Sequence, residues 1–537
     1  MKLPRLQISE KHLKLAEVIL IVVTSAIPLF FQFPYRINLF LAWEGAYRMS
    51  LGEIPYKDFG TPVGYGFWLL PALFFRIIGP YVYTLIVVQV FINIISGLAL
   101  RFLLRIFQIP SPIIFLTLLV YSLSYSMFNF WPWYNHAVFV YELIGLSFLC
   151  GAILRPEVER KVWKIAAAAF FIALSFLTKQ DTGALGFMIA VSLLIVDYIF
   201  ERRTKTAFIF IAGYLLSMAL LIGPFLPYEF TYWFNLGQFP HYARADKFDI
   251  IYEFMGASDA IKFYLMIIVV MLIIRYQNVS WRHDKSFVVF TWLVLCILGQ
   301  ASIIQVTSYI PLDGNIYFHS FAFAFIMLQL ARTVDLSRVI NLSAVAFMVC
   351  LWWSGVFWTR FLAQYAEKLL VNPNTDKSKV ISKRTYIISN DTTNYNRSKW
   401  IVPELASFKR VKIPEGTAEG VKKMMSLPVA SKVNLKVLNM SELTSLAYDM
   451  GYQLEQGSQH PLWYHKGVAF FDREVNNFCD KIERKEYDLI LFEDIPNLNQ
   501  FYPYEVRACM QKHYKLQFKF LAPRIPEVSY IEVYTKE

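Results

Sequence analysis

Ala42-Trp43-Glu44-Gly45-Ala46-Tyr47, then Gly52-Glu53-Ile54-Pro55-Tyr56-Lys57-Asp58-Phe59, then Pro62-Val63-Gly64-Tyr65, form a polar, aromatic and turn-rich stretch between apolar ones. The next segment, Phe67 to Ile78, decides the topology of the chain. This apolar piece has only about a dozen residues, whereas a bilayer core needs ~20. It contains Arg76 and stops at Gly79-Pro80. It is therefore expected to lie along the membrane surface and not to cross it.

The surrounding composition is that of a membrane protein. Of 537 residues, 56% are hydrophobic and 17% aromatic, and the mean hydropathy is +0.42. Only 17% are charged, against about 25% in soluble proteins. Such an apolar excess is too large for one globular core and fits a polytopic membrane protein with something smaller and soluble attached. The net charge of +12 does not call for a nucleic-acid partner, because the positive residues cluster between hydrophobic segments. The first apolar run lacks a short apolar core and a small-residue cleavage site, so it reads as a retained helix.

The candidate spans are about 15–33, 82–104, 112–131, 136–154, 163–178, 182–200, 206–226, 261–275, 286–305, 316–331 and 339–359, about eleven in all. Alternation then puts about 18 Lys and Arg on the side of the N-terminal segment and about 7 on the other. The positive-inside rule makes the first side cytoplasmic. Reading 67–78 as a span would invert every later loop and erase the asymmetry. The odd number of spans places the C-terminal part outside. The fold class expected is thus a polytopic α-helical membrane protein with a C-terminal soluble α/β domain. Residues 1–360 would form the membrane part, with its outer loop at 34–80, and 361–537 the outer domain. In that domain Tyr386 to Ser389, Tyr487 to Phe492 and Tyr530 to Tyr534 read as strands, and Asp472 to Glu483 and Tyr504 to Tyr514 as helices. Cys479 and Cys509 lie there and could pair in an oxidising compartment, though two cysteines fix nothing.

Several polar groups stand out on the outer side. Glu44 and Asp58 are held by aromatics, Pro and Gly just beyond the first span, and carboxylates so placed mark a functional site by default. The bland alternative is a pair of surface ion pairs with Arg48 and Lys57. Lys179-Gln180-Asp181 interrupts an apolar run of about forty residues, a costly break that usually faces a cavity. Trp131-Pro132-Trp133-Tyr134-Asn135-His136 is an aromatic turn, either an interfacial belt or a platform, with His136 its polar candidate. Tyr56 is likewise either a belt residue or part of a site. His241 and Arg244 sit in the long 228–260 loop, where an arginine fork could hold a phosphate. No metal-ligand spacing and no phosphate-binding glycine loop is present.

The run Trp43-Glu44-Gly45, Gly52 to Phe59, Pro62-Val63-Gly64 and Gly79 resembles the first outer loop of the C-type membrane glycosyltransferases (GT-C). It is most similar to the protein-mannosyltransferase-like branch, family 39, which includes bacterial lipid A aminoarabinose transferases. Phe176-Leu177-Thr178-Lys179-Gln180 is similar to that family's Phe-Leu-Thr-Lys segment. The resemblance covers about residues 35–200, and by topology reaches about 360. It departs from the family pattern at Glu44, where Asp is usual, and at Val63, where a second Pro is usual. It implies an inverting enzyme at the outer face that takes a sugar from a polyprenyl-phosphate donor to a lipid, glycan or protein acceptor. Glu44 would be the general base and Asp58 its support. Lys179, Gln180, Arg244, His241, His136 and Tyr56 would bind substrate. No cofactor is expected, and a divalent cation is not indicated. The implied location is the inner membrane of a bacterium, with the C-terminal domain periplasmic. A transporter or flippase of lipid-linked saccharides is the alternative, although no duplicated, broken helices support it. A non-catalytic envelope scaffold is a third reading.

Overall fold

The computed structural model describes residues 8–36, 39–155, 161–234, 247–277, 284–308, 317–362, 366, 400–457, 460–462, 464, 470–495, 501–524 and 528–536. The structure is a helical membrane protein with a small C-terminal sheet region. In order, the helices up to residue 353 are α1 Glu10–Ala26, α2 Leu39–Ser50, α3 Leu69–Ile78, α4 Val82–Ile106, α5 Ser111–Ser124, α6 Tyr134–Leu154, α7 Lys161–Thr178, α8 Gln180–Glu201, α9 Lys205–Ile222, α10 Lys247–Ala257, α11 Asp259–Tyr276, α12 Lys285–Ser308, α13 Phe318–Leu330 and α14 Val339–Trp353.

Among the described residues, eight helices are long and apolar enough to cross a membrane: Glu10–Phe30, Val82–Ile106, Ser111–Phe128, Tyr134–Leu154, Lys161–Thr178, Gln180–Glu201, Lys205–Phe225 and Lys285–Gln305. Two bent pairs, Phe248–Gly256 with Asp259–Arg275 and Val339–Trp353 with Gly355–Leu362, bring the number to as many as ten. The expected span at 316–331 is the 13-residue α13. At 1.5 Å per residue α13 is ~20 Å long, short of a ~30 Å hydrocarbon core. The eleven expected segments thus resolve into eight straight helices, two bent pairs and one short helix. Tyr65–Ile78 is also short, as its composition requires.

Polar groups inside the bundle are mostly neutralised. Glu17 on α1 is fully buried and binds Arg101 at 2.7 Å and Arg105 at 2.6 Å, both on α4. Asp197 on α8 takes Lys285, at the start of α12, at 2.5 Å. Unpaired, either carboxylate would carry a desolvation cost of several kcal/mol.

The C-terminal part contains a four-stranded sheet and a smaller three-stranded one. In the larger sheet the order is β4 (Val437–Met440), β5 (Leu489–Asp494), β7 (Tyr530–Thr535), β6 (Lys515–Leu521), with β4 parallel to β5 and the other pairs antiparallel. The expected strands at 487–492 and 530–534 are β5 and β7, and the expected helices are Phe471–Glu483 and Tyr504–His513. The expected strand at 386–389 lies outside the described residues. A disulfide joins Cys479 to Cys509 across the two helices. The smaller sheet ties the ends of the chain together. β1 (Phe33–Pro34), just after α1, runs parallel to β3 (Val411–Pro414), which pairs on its other edge with β2 (Trp400–Ile401). Tyr35 continues the link, its hydroxyl donating to the Glu442 carbonyl at 2.6 Å. The segment after α1 is therefore packed under the C-terminal region.

Candidate active site beneath the C-terminal region

The i, i+4 spacing of Glu44 and Arg48 puts both on one face of α2. Arg48 donates to Glu44 Oε1 twice, from Nε at 3.0 Å and Nη2 at 2.8 Å. Its Nη1 donates to Glu53 Oε2 and to the Glu455 carbonyl, each at 2.8 Å. Arg48 is fully buried and Glu44 only 5% exposed. The pair anticipated as a surface alternative thus forms, but in the interior. There each partner depends on the other, because removing one leaves a buried charge. Gly45 is required beside them, since a Cβ at that position would come within 2.1 Å of the Trp68 indole.

The stretch 53–60 is a tight turn. Tyr56 has φ of +68°, and its ring is buried edge-on to Phe225 and Phe230. Asp58 Oδ2 accepts from the Ile54 backbone N–H at 2.7 Å and so braces the turn. Lys57 does not take Asp58 as its partner; it lies over the Tyr228 ring. Asp58 and Tyr56 shape the loop that covers Glu44.

Residues from the far end of the chain close over this loop. Gly457 N–H donates to the Asp58 carbonyl, Gly60 N–H to the His460 carbonyl and Leu462 N–H to the Gly60 carbonyl, at 2.8–2.9 Å. Gln456 donates to Glu53 Oε1 at 3.1 Å. His460 Nε2 comes to 3.9 Å from Glu44 Oε1 and 3.4 Å from the Tyr464 hydroxyl. Its Nδ1 is buried with no hydrogen-bond partner among the described residues. Burial pushes the Glu44 carboxyl up, but Arg48 and His460 outweigh it and hold it below the ordinary carboxylate range. Burial holds the His460 imidazole below its ordinary value, against the pull of Glu44. Both directions favour a charged carboxylate and an uncharged imidazole.

The two sequence segments that carried the family resemblance meet. A Cβ on Gly64 would fall 1.5 Å from the Leu177 carbonyl oxygen, so the loop rests directly on the end of α7. Lys179 sits in the break between α7 and α8, 3.3 Å from Asp181. Gln180 Nε2 donates to the Trp233 carbonyl at 2.6 Å, and Asp181 Oδ1 accepts from the Thr182 N–H at 2.7 Å. His136, expected as the polar candidate of an aromatic turn, is fully buried in the first turn of α6, stacked on Tyr125 at 4.4 Å. His241 and Arg244 lie outside the described residues. Sequence reasoning gave no role to Glu53, which lies five residues from Arg48 and was within local reach, and missed Glu455 and His460, whose only signal is a fold contact across some 400 positions.

No family model matches the sequence, and no curated protein matches it. Among solved structures, the oligosaccharyltransferase of Archaeoglobus fulgidus is similar over 97% of this chain and 72% of its own, at 11% identity and a TM-score of 0.47. The arabinofuranosyltransferase AftD from Mycobacteria is similar over all of this chain and 40% of its own, at 12% identity and a TM-score of 0.38. For its R1389S mutant the values are 99%, 42%, 12% and 0.42.

Proposed function

We propose that this chain is a GT-C glycosyltransferase of the family 39 type. It would move a sugar from a polyprenyl-phosphate donor to a lipid, glycan or protein acceptor at the outer face of a bacterial inner membrane. The observation that carries the reading is the Glu44 carboxyl group, buried and fixed by Arg48 beneath a loop that rests on the α7 end beside Lys179. In the proposed step the acceptor hydroxyl attacks the anomeric carbon and its proton passes to Glu44. The carbon–oxygen bond to phosphate breaks, and the phosphate leaves with the electron pair. Both Arg48 bonds fall on Oε1, so Oε2 is the oxygen assigned to the proton. Lys179, with Arg244 and His241 from the long loop, would hold the leaving phosphate. Gln180, His136 and Tyr56 act in this reading by shaping the walls of the site.

Residues 1–360 would form the membrane domain and 361–537 an extracytoplasmic one. The Cys479–Cys509 disulfide supports that side, because such bonds persist in oxidising compartments. The test is turnover of a panel of radiolabelled polyprenyl-phosphate sugars by purified protein, wild type beside Glu44→Gln. Loss of one proton acceptor should cost ~10²–10⁴-fold. Full activity in the variant would remove Glu44 from the role. Saturable binding of lipid-linked saccharide without turnover would favour a transporter.

A further inference from the structure

Three membrane segments end close together beneath the C-terminal region. Glu10–Phe30 ends just before β1, Val82 opens Val82–Ile106, and Gly355–Leu362 closes the second bent pair. The segment 407–412 is fastened to the first two. The Val82 N–H donates to the Ser407 carbonyl at 2.8 Å, and Val411 and Lys412 pair with Phe33 and Pro34. The ends of spans lie at the level of the lipid headgroups, where aromatic rings and basic side chains anchor them.

Cations gather at this place. Lys409 Nζ lies over the Tyr81 ring, 6.0 Å from its centroid. Arg410 lies over the Tyr83 ring at 4.8 Å and donates Nη1 to the Tyr83 hydroxyl at 2.9 Å. Lys412 is in register with Pro34, two residues before Arg36. Arg36 is close enough to Arg360 to repel its charge, and Arg360 lies over the Phe128 and Phe130 rings at 4.9 and 4.4 Å. Tyr83 packs against the aromatic cluster of Phe33, Phe130 and Phe361, so these cations stand around one aromatic seat. Lys409, Arg410 and Lys412 form no ion pair among the described residues. Of the acids beside them, Asp449 accepts from the Ser407 N–H at 3.1 Å and from the Ser407 hydroxyl, and Glu404 is exposed. Like charges so assembled repel, and a bound anion relieves the repulsion.

We propose that Lys409, Arg410 and Lys412, with Arg36 and Arg360 beside them, bind the phosphate headgroups of anionic phospholipids in the leaflet that meets this end of the spans. The excess of positive charge calls for an anion, and its position at span ends, on aromatic rings, calls for one carried by a lipid. Bound headgroups hold the segment 407–412, and β3 with it, against α4 and β1. The face is separate from Glu44, and its test needs no turnover.

The experiment is thermal unfolding of the full chain in detergent, titrated with phosphatidylglycerol, phosphatidylcholine or inorganic phosphate at fixed pH and low ionic strength. Wild type is compared with the double variant Lys409→Gln, Lys412→Gln. Lys409 is exposed and Lys412 half-buried, so the change spares the core. Phosphatidylglycerol should raise the wild-type Tm saturably, on the order of 2–4 °C beyond phosphatidylcholine. The double variant should need ~25-fold more phosphatidylglycerol for the same rise, at ~5-fold for each charge. Should it not fold, Lys409→Gln alone carries the test at ~5-fold. Basic residues elsewhere are common to both proteins and cancel in the comparison. Equal shifts with the two lipids would overturn the proposal, as would one phosphatidylglycerol response shared by wild type and variant. An equal rise with inorganic phosphate would mean that the face takes a free anion and not a lipid, and would overturn it too.

Discussion

Glu474 gives the C-terminal region a pH dependence whose size is set by its surroundings. It sits on the helix Phe471–Glu483, is 3% exposed, and has Oε1 buried with no hydrogen-bond partner among the described residues. Tyr232 faces it from the segment Phe230–Phe234, and Arg473 beside it is taken by Glu229 at 2.9 Å through both carboxylate oxygens. Burial pushes the Glu474 carboxyl from 4.5 up to about 8, the Tyr232 and Arg473 contributions being too small to reverse it. Between those values the folded protein holds a proton that the unfolded chain has released, so stability falls as pH rises. The contribution is complete below about pH 4.5 and is lost by about pH 8. At 1.36 kcal/mol per pH unit the loss amounts to about 5 kcal/mol. Glu474→Gln keeps the neutral shape without the titration. Unfolding of the purified full chain in denaturant, from pH 5 to 8, should show a decline in wild type and little decline in the variant. Groups common to both proteins cancel in the difference. Parallel pH profiles would refute the argument and mean that Glu474 is solvated or paired in the folded state.

Packing around residues 44–64 sets two further outcomes. Gly64→Ala would drive a methyl group to 1.5 Å from the Leu177 carbonyl. It should separate the loop from α7, lower Tm by several degrees and abolish the proposed transfer, whereas Gly52→Ala, which meets nothing within 4 Å but has φ of +95°, should cost only about 1 kcal/mol. Arg48→Met would leave Glu44 and Glu53 buried without a counter-charge and should cost ~3–5 kcal/mol in denaturant unfolding, while Lys57→Met, removing a cation that merely covers Tyr228, should stay within about 1 kcal/mol of wild type.

What the sequence makes legible here is governed by local rules. A dozen apolar residues closed by Gly79-Pro80 cannot span a bilayer, and Tyr65–Ile78 is accordingly short. The i, i+4 spacing of Glu44 and Arg48 makes their pairing readable as well; what the spacing cannot carry is burial, since that depends on segment 455–464 lying over α2. The same limit hides His460, 416 positions from Glu44, and the pairing of two-residue β1 with β3. Asp58 and Lys57 fail as a predicted pair for a different reason. The left-handed Tyr56 turns the chain so that Asp58 points back to Ile54 and Lys57 out to Tyr228. Glu142, fully buried on α6, was within reach of the sequence, because a lone acid inside an apolar helix is itself a signal. It is masked by apolar neighbours, Phe139-Val140-Tyr141 before it and Leu143-Ile144 after it, that keep the segment's hydropathy high. A rule that averages over a span suppresses a single buried acid, so charges within spans are better read singly.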